Sequence, residues 1–423
     1  MAFLKVGKRI TNTGPSVLAG LDIGSSKVCC TIARLDGAGR PHVAGIGFQA
    51  TRGLRGGTIV DMEALEDSVA AAVNAAEDMA DETIRGVYVA ISPSVVESMT
   101  LDVENPISGH PVDEADVKKM LAQAYQAARD SGSTVVHTIP VGYAIDGARG
   151  IRDPRGMFGE RLGATILAVR AQFSPLRNIA ACIERCHLEV AGFVVSSYAS
   201  GLGVLVEDEL DLGVTLLDMG AGVTSISLFY DGKLHHVDHV PVGGLHVTHD
   251  LARGLSTPLV QAERIKTLYG SAMAVQRDER DKIAVPQIGE EEDSKGTTVT
   301  RAELVRIIRP RIEETFELVR DKLKQLEADK VVGRRLVLTG GASQLAGVRE
   351  LAAVILDKQA RLGKPLGFKS MDVKLRNPAF ATSVGLIQFA AQERERLVSF
   401  DNDNQQQQVG LFSRLGSWVR ENL

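Results

Sequence analysis

The sequence predicts an α/β protein whose two halves face each other across a cleft. Three observations indicate this fold class: a strand–turn–strand unit occurs twice, each copy carries an Asp-x-Gly loop, and helices follow the strands. With 423 residues, the chain is long enough for two domains of ordinary size. We therefore expect two related α/β halves.

The strongest of these signals is the internal repeat. Its first copy extends from Leu18 to Gly47 and its second from Val214 to Gly244. Each copy contains an apolar strand that ends in Asp-x-Gly, a short turn of small residues, a second strand, an Asp-Gly turn and a third strand. The Asp-Gly pairs begin at Asp36 and Asp231, and this dipeptide between apolar runs is typical of hairpins. The match in order and spacing predicts that both halves are built in the same way.

Four segments are predicted as helices, and the first carries a clear apolar stripe. They are Asp61–Ala80, Glu114–Asp130, Arg177–Cys186 and Arg301–Leu326. The last segment contains Pro310, whose missing backbone donor predicts a bend. The stretch Gln287–Gly296 is acidic and has no periodicity, which predicts a solvated loop.

Composition limits the classes of protein that fit this sequence. A net charge of −5 argues against a general nucleic-acid binder. No apolar run is long enough to cross a bilayer, and the N-terminus lacks the apolar core of a secretory signal. The chain has only 4 cysteines, so we expect no disulfide framework and a reducing cytoplasm.

Two clusters of cysteine and histidine residues could each form part of a metal site. Cys182 and Cys186 precede His187, and several histidines fall between His235 and His249. A closed metal site needs ligands from further elements in both cases. We therefore favour the interpretation that the cysteines pack in a helix and that the histidines lie on the faces of a strand.

The two Asp-x-Gly loops carry the predicted chemistry. Turns rich in Gly and Ser expose backbone N–H groups, which cradle phosphate oxygens. The expected donors are Gly24, Ser25, Ser26 and Lys27 in the first loop, and Gly220, Ala221, Gly222, Val223 and Thr224 in the second. Asp22 and Asp218 stand at the heads of the loops, where a carboxylate would hold Mg²⁺ through water. A plain hairpin explains either loop alone, whereas the matched pair predicts a clamp on a polyphosphate.

A third motif follows the strand predicted for Arg335–Thr339. It consists of Gly340, Gly341, Ala342 and Ser343, and a helix follows it. A strand, paired glycines and a helix N-terminus form a common nucleotide site, although the chain has no P-loop motif. Alone, the motif is weak evidence for a nucleotide site, and it becomes stronger evidence in combination with the two loops.

These motifs resemble those of the actin, heat-shock-70 and sugar-kinase superfamily. LDIGSSKV and LDMGAGVTSI are similar to its two phosphate loops, and LTGGASQLAGV is similar to its adenosine motif. SYASGLGVL (Ser197–Leu205) and TSVGLIQFA (Thr382–Ala390) resemble its two connecting helices, whose small residues let the halves hinge. Within the superfamily, the motif order, the chain length and the C-terminal segment resemble the FtsA family of bacterial cell-division proteins.

The resemblance implies an actin-like (ribonuclease-H-like) two-lobed fold that binds ATP and Mg²⁺ in its cleft. It places Glu263 and Lys266 at the ribose and base, although a solvated helix face is the simpler explanation of either residue alone. It places Arg311 and Glu314 where the C-terminal tail of the tubulin-like ring protein FtsZ binds, with an ordinary exposed helix as the alternative. Head-to-tail filaments and contacts with other division proteins are also implied. Ala221 departs from the glycine that relatives often carry, so the second loop is expected to differ slightly.

The expected domain boundaries rest on the same resemblance. Residues 17–97 and 171–200 form the first lobe, residues 98–170 an inserted small subdomain, residues 201–380 the second lobe with the nucleotide and partner sites, and residues 381–392 a return helix. Residues 1–16 form an N-terminal tail, residues 393–408 a flexible polar linker, and residues 409–423 a terminal amphipathic helix.

The last fifteen residues are apolar on one side. That side carries Leu411, Phe412, Leu415, Trp418 and Val419 in helical projection. A helix of this length is too short to span a bilayer, so we expect it to lie in the interface against anionic lipids. The rival interpretation is a helix docked on the protein's own core, against which the polar linker argues.

Together with the terminal helix, the resemblance implies an ATP-binding protein that assembles with the FtsZ ring and anchors it to the cytoplasmic face of the inner membrane at the septum. At most weak ATP hydrolysis is expected, because no catalytic base is identifiable. A sugar-type small-molecule kinase of the same superfamily is the alternative, but the terminal helix has no role in such an enzyme. A chaperone ATPase would need a further domain after the cleft.

Overall fold

In the computed structural model, the described residues are 17–289, 297–367 and 373–395. The N-terminal tail, the acidic stretch after Gly289, the polar linker from residue 396 onward and the amphipathic helix of residues 409–423 lie outside the described residues. None of the described helices is long and apolar enough to cross a membrane.

The elements are named in chain order. The first half contains β1 (Val17–Ile23), β2 (Lys27–Leu35), β3 (Pro41–Ala50), β4 (Leu54–Arg55), β5 (Thr58–Ile59), α1 (Met62–Ala80), β6 (Gly86–Ile91), β7 (Val96–Pro106), α2 (Glu114–Ala128), β8 (Ser133–Ile145), β9 (Ala148–Ile151), β10 (Arg161–Gln172), α3 (Phe173–Arg185), β11 (Glu189–Val195), α4 (Ser196–Val204) and α5 (Glu207–Leu212). The second half contains β12 (Val214–Met219), β13 (Thr224–Tyr230), β14 (Lys233–Val240), α6 (Gly244–Gly254), α7 (Leu259–Tyr269), β15 (Lys282–Val285), β16 (Thr297–Thr300), α8 (Arg301–Gln325), α9 (Asp329–Val332), β17 (Arg335–Thr339), α10 (Val348–Leu356), β18 (Gln359–Leu362) and α11 (381–395).

Two five-stranded sheets share one plan. Their strand orders are β11-β6-β1-β2-β3 and β14-β13-β12-β17-β18. In each sheet, the first strand in sequence pairs antiparallel with its hairpin partner and parallel with a strand that returns after a helix. The register also agrees, since Asp22 pairs with Cys29 and Asp218 pairs with Ser225. The sheets confirm the predicted repeat and the two α/β halves.

The two hairpins differ at their distal turns. Asp231 and Gly232 form a two-residue turn in which φ is positive at both positions, 51° and 76°, the conformation that suits a twisted hairpin. Asp36 instead begins a longer connection, in which its carboxylate accepts from two backbone amides and Gly39 takes the positive φ of 75°. A hairpin turn therefore begins at both Asp-Gly pairs, as predicted, and the first is wider because the Asp36 side chain organises it.

α1 packs its apolar stripe against the first sheet, as predicted. Asp61 caps the helix by accepting from the Ala64 amide at 3.1 Å. Gly45 and Gly47 of β3 let the helix lie directly on the strand, because an added Cβ would come within 2.2 Å and 2.0 Å of helix carbonyl oxygens. The buried face consists of Leu65, Ser68, Val69, Ala72, Val73, Ala76 and Ala80.

The other three predicted helices are present with shifted ends. α2 ends at Ala128, and α3 begins at Phe173, four residues before the predicted start. Pro175 lies in the first turn of α3, where its missing N–H removes no intrahelical bond. α8 continues through Pro310 as one helix, so the predicted bend there stays a prediction.

The inserted subdomain lies between β6 and α3 and has its own core. Its sheet has the order β7-β10-β8-β9, and α2 packs on it through the buried Met120 and Ala124. Ile107, Leu162 and Ile166 complete this core. The subdomain therefore has a core of its own, while Leu167, Val169 and Ala171 at the end of β10 belong to the core of the larger sheets.

The inserted subdomain also touches the second lobe. The Ser98 hydroxyl donates to the carbonyl oxygen of Val237 at 2.8 Å. Arg152 pairs with Asp231 in the turn of the second hairpin at 2.5 Å. The subdomain thus contacts both lobes, which are joined to each other elsewhere by helices.

Those helices are α4 and α11, which cross between the lobes. An added Cβ at Gly385 would lie 1.7 Å from the carbonyl oxygen of Ala199, and one at Gly203 would lie 2.5 Å from that of Ala381. No side chain fits at either glycine, so the two backbones are in direct contact. The small residues in these helices are required by the crossing.

His137 of β8 is buried beside this crossing. Its Nε2 accepts from the amide of Val195, the residue before α4, at 3.1 Å, which assigns the proton of the neutral ring to Nδ1. The rings of Tyr198 and Phe389 lie edge-on at 5.3 Å and 5.8 Å between centroids. Burial lowers the pKa of His137 to about 4.

We predict that acid weakens the fold through His137. The lowered pKa means that the unfolded chain binds more protons than the folded protein between pH 6.5 and 4. The neutral ring therefore adds about 3 kcal/mol to the free energy of unfolding above pH 6.5, and this stabilisation is lost as the pH falls toward 4. Urea unfolding at several pH values should show a steeper loss in the wild type than in His137→Gln. Equal slopes would contradict the neutral, buried ring.

Candidate functional site

The two Asp-x-Gly loops lie face to face across the cleft between the lobes. In each loop the first glycine donates its amide to the carbonyl oxygen three residues later, Gly24 to Lys27 and Gly220 to Val223, both at 3.0 Å. An added Cβ on Gly222 would lie 2.9 Å from the Ser25 hydroxyl. The loops therefore share one construction and approach each other to side-chain contact.

This construction changes the predicted set of phosphate donors. The amides of Gly24 and Gly220 close their own loops, so the prediction that these two amides face a ligand is wrong. Within the residues that the structure describes, the loop amides without a backbone acceptor include those of Ser25, Ser26, Ala221 and Gly222. Two donors from each side therefore remain available to an anion between the loops.

The N-terminus of α6 holds the second loop in place. The amides of Gly244 and Leu245 donate to the carbonyl oxygens of Gly220 and Ala221, at 3.0 Å and 2.8 Å. Ala221 is not among the described residues with positive φ, so its side chain causes no backbone strain in this loop.

Asp22 and Asp218 lie at the base of the cleft, near the ends of β1 and β12. Burial raises the pKa of Asp22 to about 6, Lys27 opposes this, and the charge of Asp218 adds to it. Burial also raises the pKa of Asp218, against hydrogen bonds from Ser200 and Thr382. Two carboxylates in one desolvated site disfavour each other's charge, and a cation would relieve this. The carboxylate oxygens fit the preference of Mg²⁺.

Lys27 supplies positive charge at the same place. Its Nζ donates to the carbonyl oxygen of Ala379 at 2.5 Å and lies 3.4 Å from the centroid of the Phe380 ring. Burial lowers the pKa of Lys27, while Cys29 and the two carboxylates raise it. The ammonium is therefore held at the wall of the cavity by Ala379 and Phe380.

The third motif contacts the second carboxylate. Gly340 has a φ of 82°, and an added Cβ would lie 2.4 Å from Oδ1 of Asp218. A short 3₁₀ turn, Gly341–Gln344, follows it. The helix expected directly after the glycines begins only at Val348, behind Gly347 in a left-handed conformation, so its predicted start is wrong. The glycines provide backbone clearance beside Asp218 and no helix N-terminus.

Glu263 and Lys266 on α7 face the cleft as a bonded pair. The Lys266 ammonium donates to Glu263 at 2.7 Å, to the Thr248 hydroxyl at 2.9 Å and to the Gly244 carbonyl oxygen at 3.0 Å. Thr248 donates to the Glu263 carboxylate at 2.5 Å. These bonds connect α7 to the N-terminal turn of α6, so a plain solvated helix face does not describe them.

One cavity of about 650 Å³ joins these parts. The predicted residues that line it are Asp22, Gly24, Ser25, Ser26, Lys27, Asp218, Gly220, Ala221, Gly222, Glu263, Lys266, Gly340, Gly341 and Ala342. Thr224 is the exception, because its buried hydroxyl donates to the carbonyl oxygen of Val242 at 2.8 Å. Its side chain stabilises the strand that supports the loop.

The cavity also has lining residues that the sequence did not indicate. They include Gly57, Ser92, Arg301 and Gln344. The Gly56-Gly57 turn between β4 and β5 lies against the second loop, and adjacent glycines between short runs were an available signal for it. Arg301 gave no signal, because only the packing of α8 brings its first residue to the cleft.

Arg311 and Glu314 lie on α8, outside the residues that line the cavity. Arg311 makes two hydrogen bonds to the Asp250 carboxylate of α6, at 2.7 Å and 3.1 Å, and pairs with Glu314. Arg311 therefore connects α6 to α8. A carboxylate of a partner would have to compete with Asp250 for it.

In the described part of the chain, no group of three or more histidine, cysteine, aspartate or glutamate side chains is placed to hold a metal ion. His235 contacts the carbonyl oxygen of Tyr230, and His236 contacts the Ser98 hydroxyl. The two cleft aspartates would hold a cation only with water and phosphate oxygens as further ligands.

Protein-family profiles match two parts of the chain. The profile described as Cell division protein FtsA matches residues 215–385, and the profile described as SHS2 domain inserted in FTSA matches residues 94–170. The second match coincides with the sheet that contains β7 to β10.

Curated relatives are similar over nearly the whole chain. Proteins named Cell division protein FtsA are 44% identical in Rhizobium meliloti (96% of this chain, 94% of the relative), 34% in Pseudomonas aeruginosa (96% and 98%) and 30% in Escherichia coli K12 (97% and 97%). These similarities confirm the resemblance that the motifs indicated, and they argue against the sugar-kinase alternative.

Solved structures agree in fold. A chain of the PilM-PilN type IV pilus biogenesis complex gives a TM-score of 0.64 at 18% identity, covering 88% of this chain and 98% of that chain. MreB5 of Spiroplasma citri bound to ADP gives 0.53 at 14% identity, covering 90% and 98%. The predicted actin-like two-lobed fold is confirmed.

We predict that Gly340→Ala damages the fold at the cleft and that Gly341→Ala does not. At Gly340 the conformation excludes L residues and the methyl would collide with Asp218, whereas at Gly341 the nearest atom would be 3.9 Å from the added Cβ. The expected loss of unfolding free energy is about 3 kcal/mol for Gly340→Ala. Urea unfolding of both variants measures it, and equal stabilities would contradict the close approach.

Proposed function

The chain belongs to the FtsA family of cell-division proteins, and on that premise we propose that it binds Mg·ATP in the cleft and links the division ring to the inner membrane. One observation carries the nucleotide part of this proposal. Two loops of the same construction, each headed by a buried or half-buried aspartate, meet in a single cavity. This arrangement surrounds a polyphosphate with donors from both lobes.

The residues divide by the part of the nucleotide that they would hold. The free amides at Ser25 and Ala221 and their neighbours, with the Lys27 ammonium, would bind phosphate oxygens. Asp22 and Asp218 would hold Mg²⁺ through water. Glu263 and Lys266 would contact the ribose and base, beside the backbone of Gly340, Gly341 and Ala342. The metal would neutralise phosphate charge that the two carboxylates otherwise repel.

We propose at most weak hydrolysis of ATP. Among the described residues that line the cavity, the carboxylates are Asp22, Asp218 and Glu263. The first two would hold the metal, and the third is bonded to Thr248 and Lys266. None of these is free to activate a water molecule, which phosphoryl transfer to water requires.

The membrane part of the proposal rests on the sequence of residues 409–423. Leu411, Phe412, Leu415, Trp418 and Val419 form its apolar face. Burial of such a face in a lipid interface is worth a few kcal/mol, on the scale of ~25 cal/mol per Å² of apolar area. A single helix therefore binds reversibly, and many helices on one filament bind durably. We propose on this basis, and on the family, that the protein is peripheral on the cytoplasmic side of the inner membrane, at the septum.

The assembly part concerns the inserted subdomain and α8. The subdomain has its own core and projects between β6 and α3, so it offers a separate surface for head-to-tail contacts between copies. The exposed part of α8 around Arg311 and Glu314 would receive the C-terminal tail of FtsZ. Other division proteins would bind the assembled filament.

We predict that Asp22→Ala and Asp218→Ala each weaken Mg·ATP binding by about tenfold or more, since each removes negative charge beside the metal. Isothermal titration calorimetry measures the affinities. Asp78→Ala, an exposed position on α1, is the matched control and should bind like the wild type. Wild-type affinity in both cleft variants would contradict the two-loop site.

We predict that Arg311→Glu weakens binding of a peptide from the FtsZ C-terminus by about tenfold. This variant also leaves two carboxylates facing each other, because Arg311 is bonded to Asp250. The double variant Asp250→Arg/Arg311→Glu restores an opposite-charge pair between α6 and α8, and it should fold normally and still fail to bind. Normal binding by the double variant would assign Arg311 a structural role, and normal binding by the single variant would place the site elsewhere.

We predict that Trp418→Glu, or deletion after Gln408, releases the protein from anionic liposomes without loss of ATP binding. Ser417→Glu adds the same charge on the polar side of the helix and should reduce flotation much less. Vesicle flotation and calorimetry on the same preparations provide both readouts. If Trp418→Glu still floats with the vesicles, the membrane anchor lies elsewhere. If it unfolds, the helix belongs to the core.

A further inference from the structure

Two buried hydroxyls lie behind the Asp218 carboxylate, one from each of the crossing helices. The Ser200 Oγ of α4 is 2.6 Å from Oδ2 of Asp218. The Thr382 Oγ1 of α11 is 2.9 Å from the Ser200 Oγ and 3.4 Å from the same carboxylate oxygen. Both side chains are more than nine-tenths buried.

The distances assign the direction of each hydrogen bond. Each hydroxyl has a single hydrogen, and an ionised carboxylate only accepts. The short contact shows that Ser200 donates to Asp218. The single hydrogen of Thr382 then lies between the Ser200 oxygen at 2.9 Å and Oδ2 of Asp218 at 3.4 Å, and the shorter distance favours Ser200 as its main acceptor. The three groups form a chain in which Thr382 donates to Ser200 and Ser200 donates to Asp218. Hydrogen bonds to an ionised acceptor are the strong ones, and a chain strengthens each member.

This hydrogen-bond chain leaves one oxygen of the Asp218 carboxylate for a ligand. Both hydroxyls are on the side of Oδ2. Oδ1 receives no hydrogen bond from the described residues and is not among the fully buried unpaired polar atoms, so part of it is accessible. The backbone of Gly340 passes beside it, since an added Cβ there would lie 2.4 Å from that oxygen. Asp218 and Gly340 both line the cavity, so the unbonded Oδ1 is the oxygen available to the cleft.

The helices that carry the hydroxyls cannot shift independently. Gly385 of α11 contacts the carbonyl oxygen of Ala199, the residue before Ser200. The hydroxyls therefore hold fixed positions at the crossing, while Asp218 belongs to the sheet of the second lobe. A hydroxyl fixed in this way selects one rotamer of the carboxylate.

We propose that Ser200 and Thr382 are positioning residues that aim Oδ1 of Asp218 at the metal of the bound nucleotide. The proposal rests on the proposed function, because it needs a metal in the cleft. It assigns to the crossing of α4 and α11 a second role besides joining the lobes. The orientation of Asp218 depends on contacts from both helices, so the metal site is complete only when the helices are packed as the structure shows.

The chain offers matched variants for the test. Ser200→Ala removes the direct donor. Thr382→Val removes the second hydroxyl and keeps the shape, and Thr382→Ser keeps the hydroxyl. Ser197→Ala is the control, because Ser197 is also on α4 and fully buried, but its hydroxyl has no hydrogen-bond partner among the described residues.

The experiment measures ATP affinity by calorimetry in Mg²⁺ and in EDTA, with thermal unfolding of each variant. Ser200→Ala should weaken binding about tenfold in Mg²⁺ and less than about twofold in EDTA, because the orientation of the carboxylate matters only to the metal. Thr382→Val should show the same pattern with a smaller loss, of about threefold, since it acts through Ser200. Thr382→Ser and Ser197→Ala should match the wild type.

Equal losses in Mg²⁺ and EDTA would show a structural role alone and overturn the proposal, as would wild-type affinities in Ser200→Ala and Thr382→Val. In both cases the wild type still binds Mg·ATP and the proposed function stands. A wild type whose ATP affinity does not depend on Mg²⁺ would overturn both together. If Ser200→Ala fails to fold, the comparison of Thr382→Val with Thr382→Ser tests the proposal. A loss of affinity in Mg²⁺ for Thr382→Val alone would support it, and equal affinities of the two variants would overturn it.

Discussion

The direct contact between the backbones of α4 and α11 is the constraint on which the rest of the structure depends. Gly385 against Ala199, and Gly203 against Ala381, leave no room for a methyl group. Because the helices meet this closely, the ends of β1 and β12 lie next to each other, and their two loops share one cavity. Separation of the helices by a side chain would move the loops apart, and neither loop alone surrounds a polyphosphate.

Charge at the base of the cleft follows from the same geometry. Asp22 and Asp218 are brought into one desolvated site, where burial raises the pKa of each carboxyl and disfavours its charge. Lys27 offsets part of this cost. A magnesium nucleotide would offset the rest, so the site gains most from the ligand that the loops are shaped to hold. The inserted subdomain adds a second connection, since Ser98 and Arg152 contact the second lobe away from the crossing.

Much of this was predictable because it is local. The repeat, α1 and the two aspartates are encoded in periodicity and in short motifs, and these depend on residues a few positions apart. The predictions that failed concern hydrogen-bond partners that are distant in sequence, or polar groups that bond to the protein backbone where a bond to a ligand was expected. The amide of Gly24 bonds within its own loop, Thr224 turns its hydroxyl to Val242, and Arg311 bonds to Asp250. No periodicity specifies such partners, because they depend on how α6, α8 and the sheets pack.

The central claim is that both loops hold one polyphosphate at the same time. Millisecond hydrogen–deuterium exchange of the full chain, with and without Mg·ATP, tests it most directly, at the amides of Ser25, Ser26, Ala221 and Gly222. Binding should slow exchange in both loops together, and Asp218→Ala should reduce the protection of the first loop as well as the second. Protection of one loop without the other at saturating Mg·ATP would contradict the two-sided clamp.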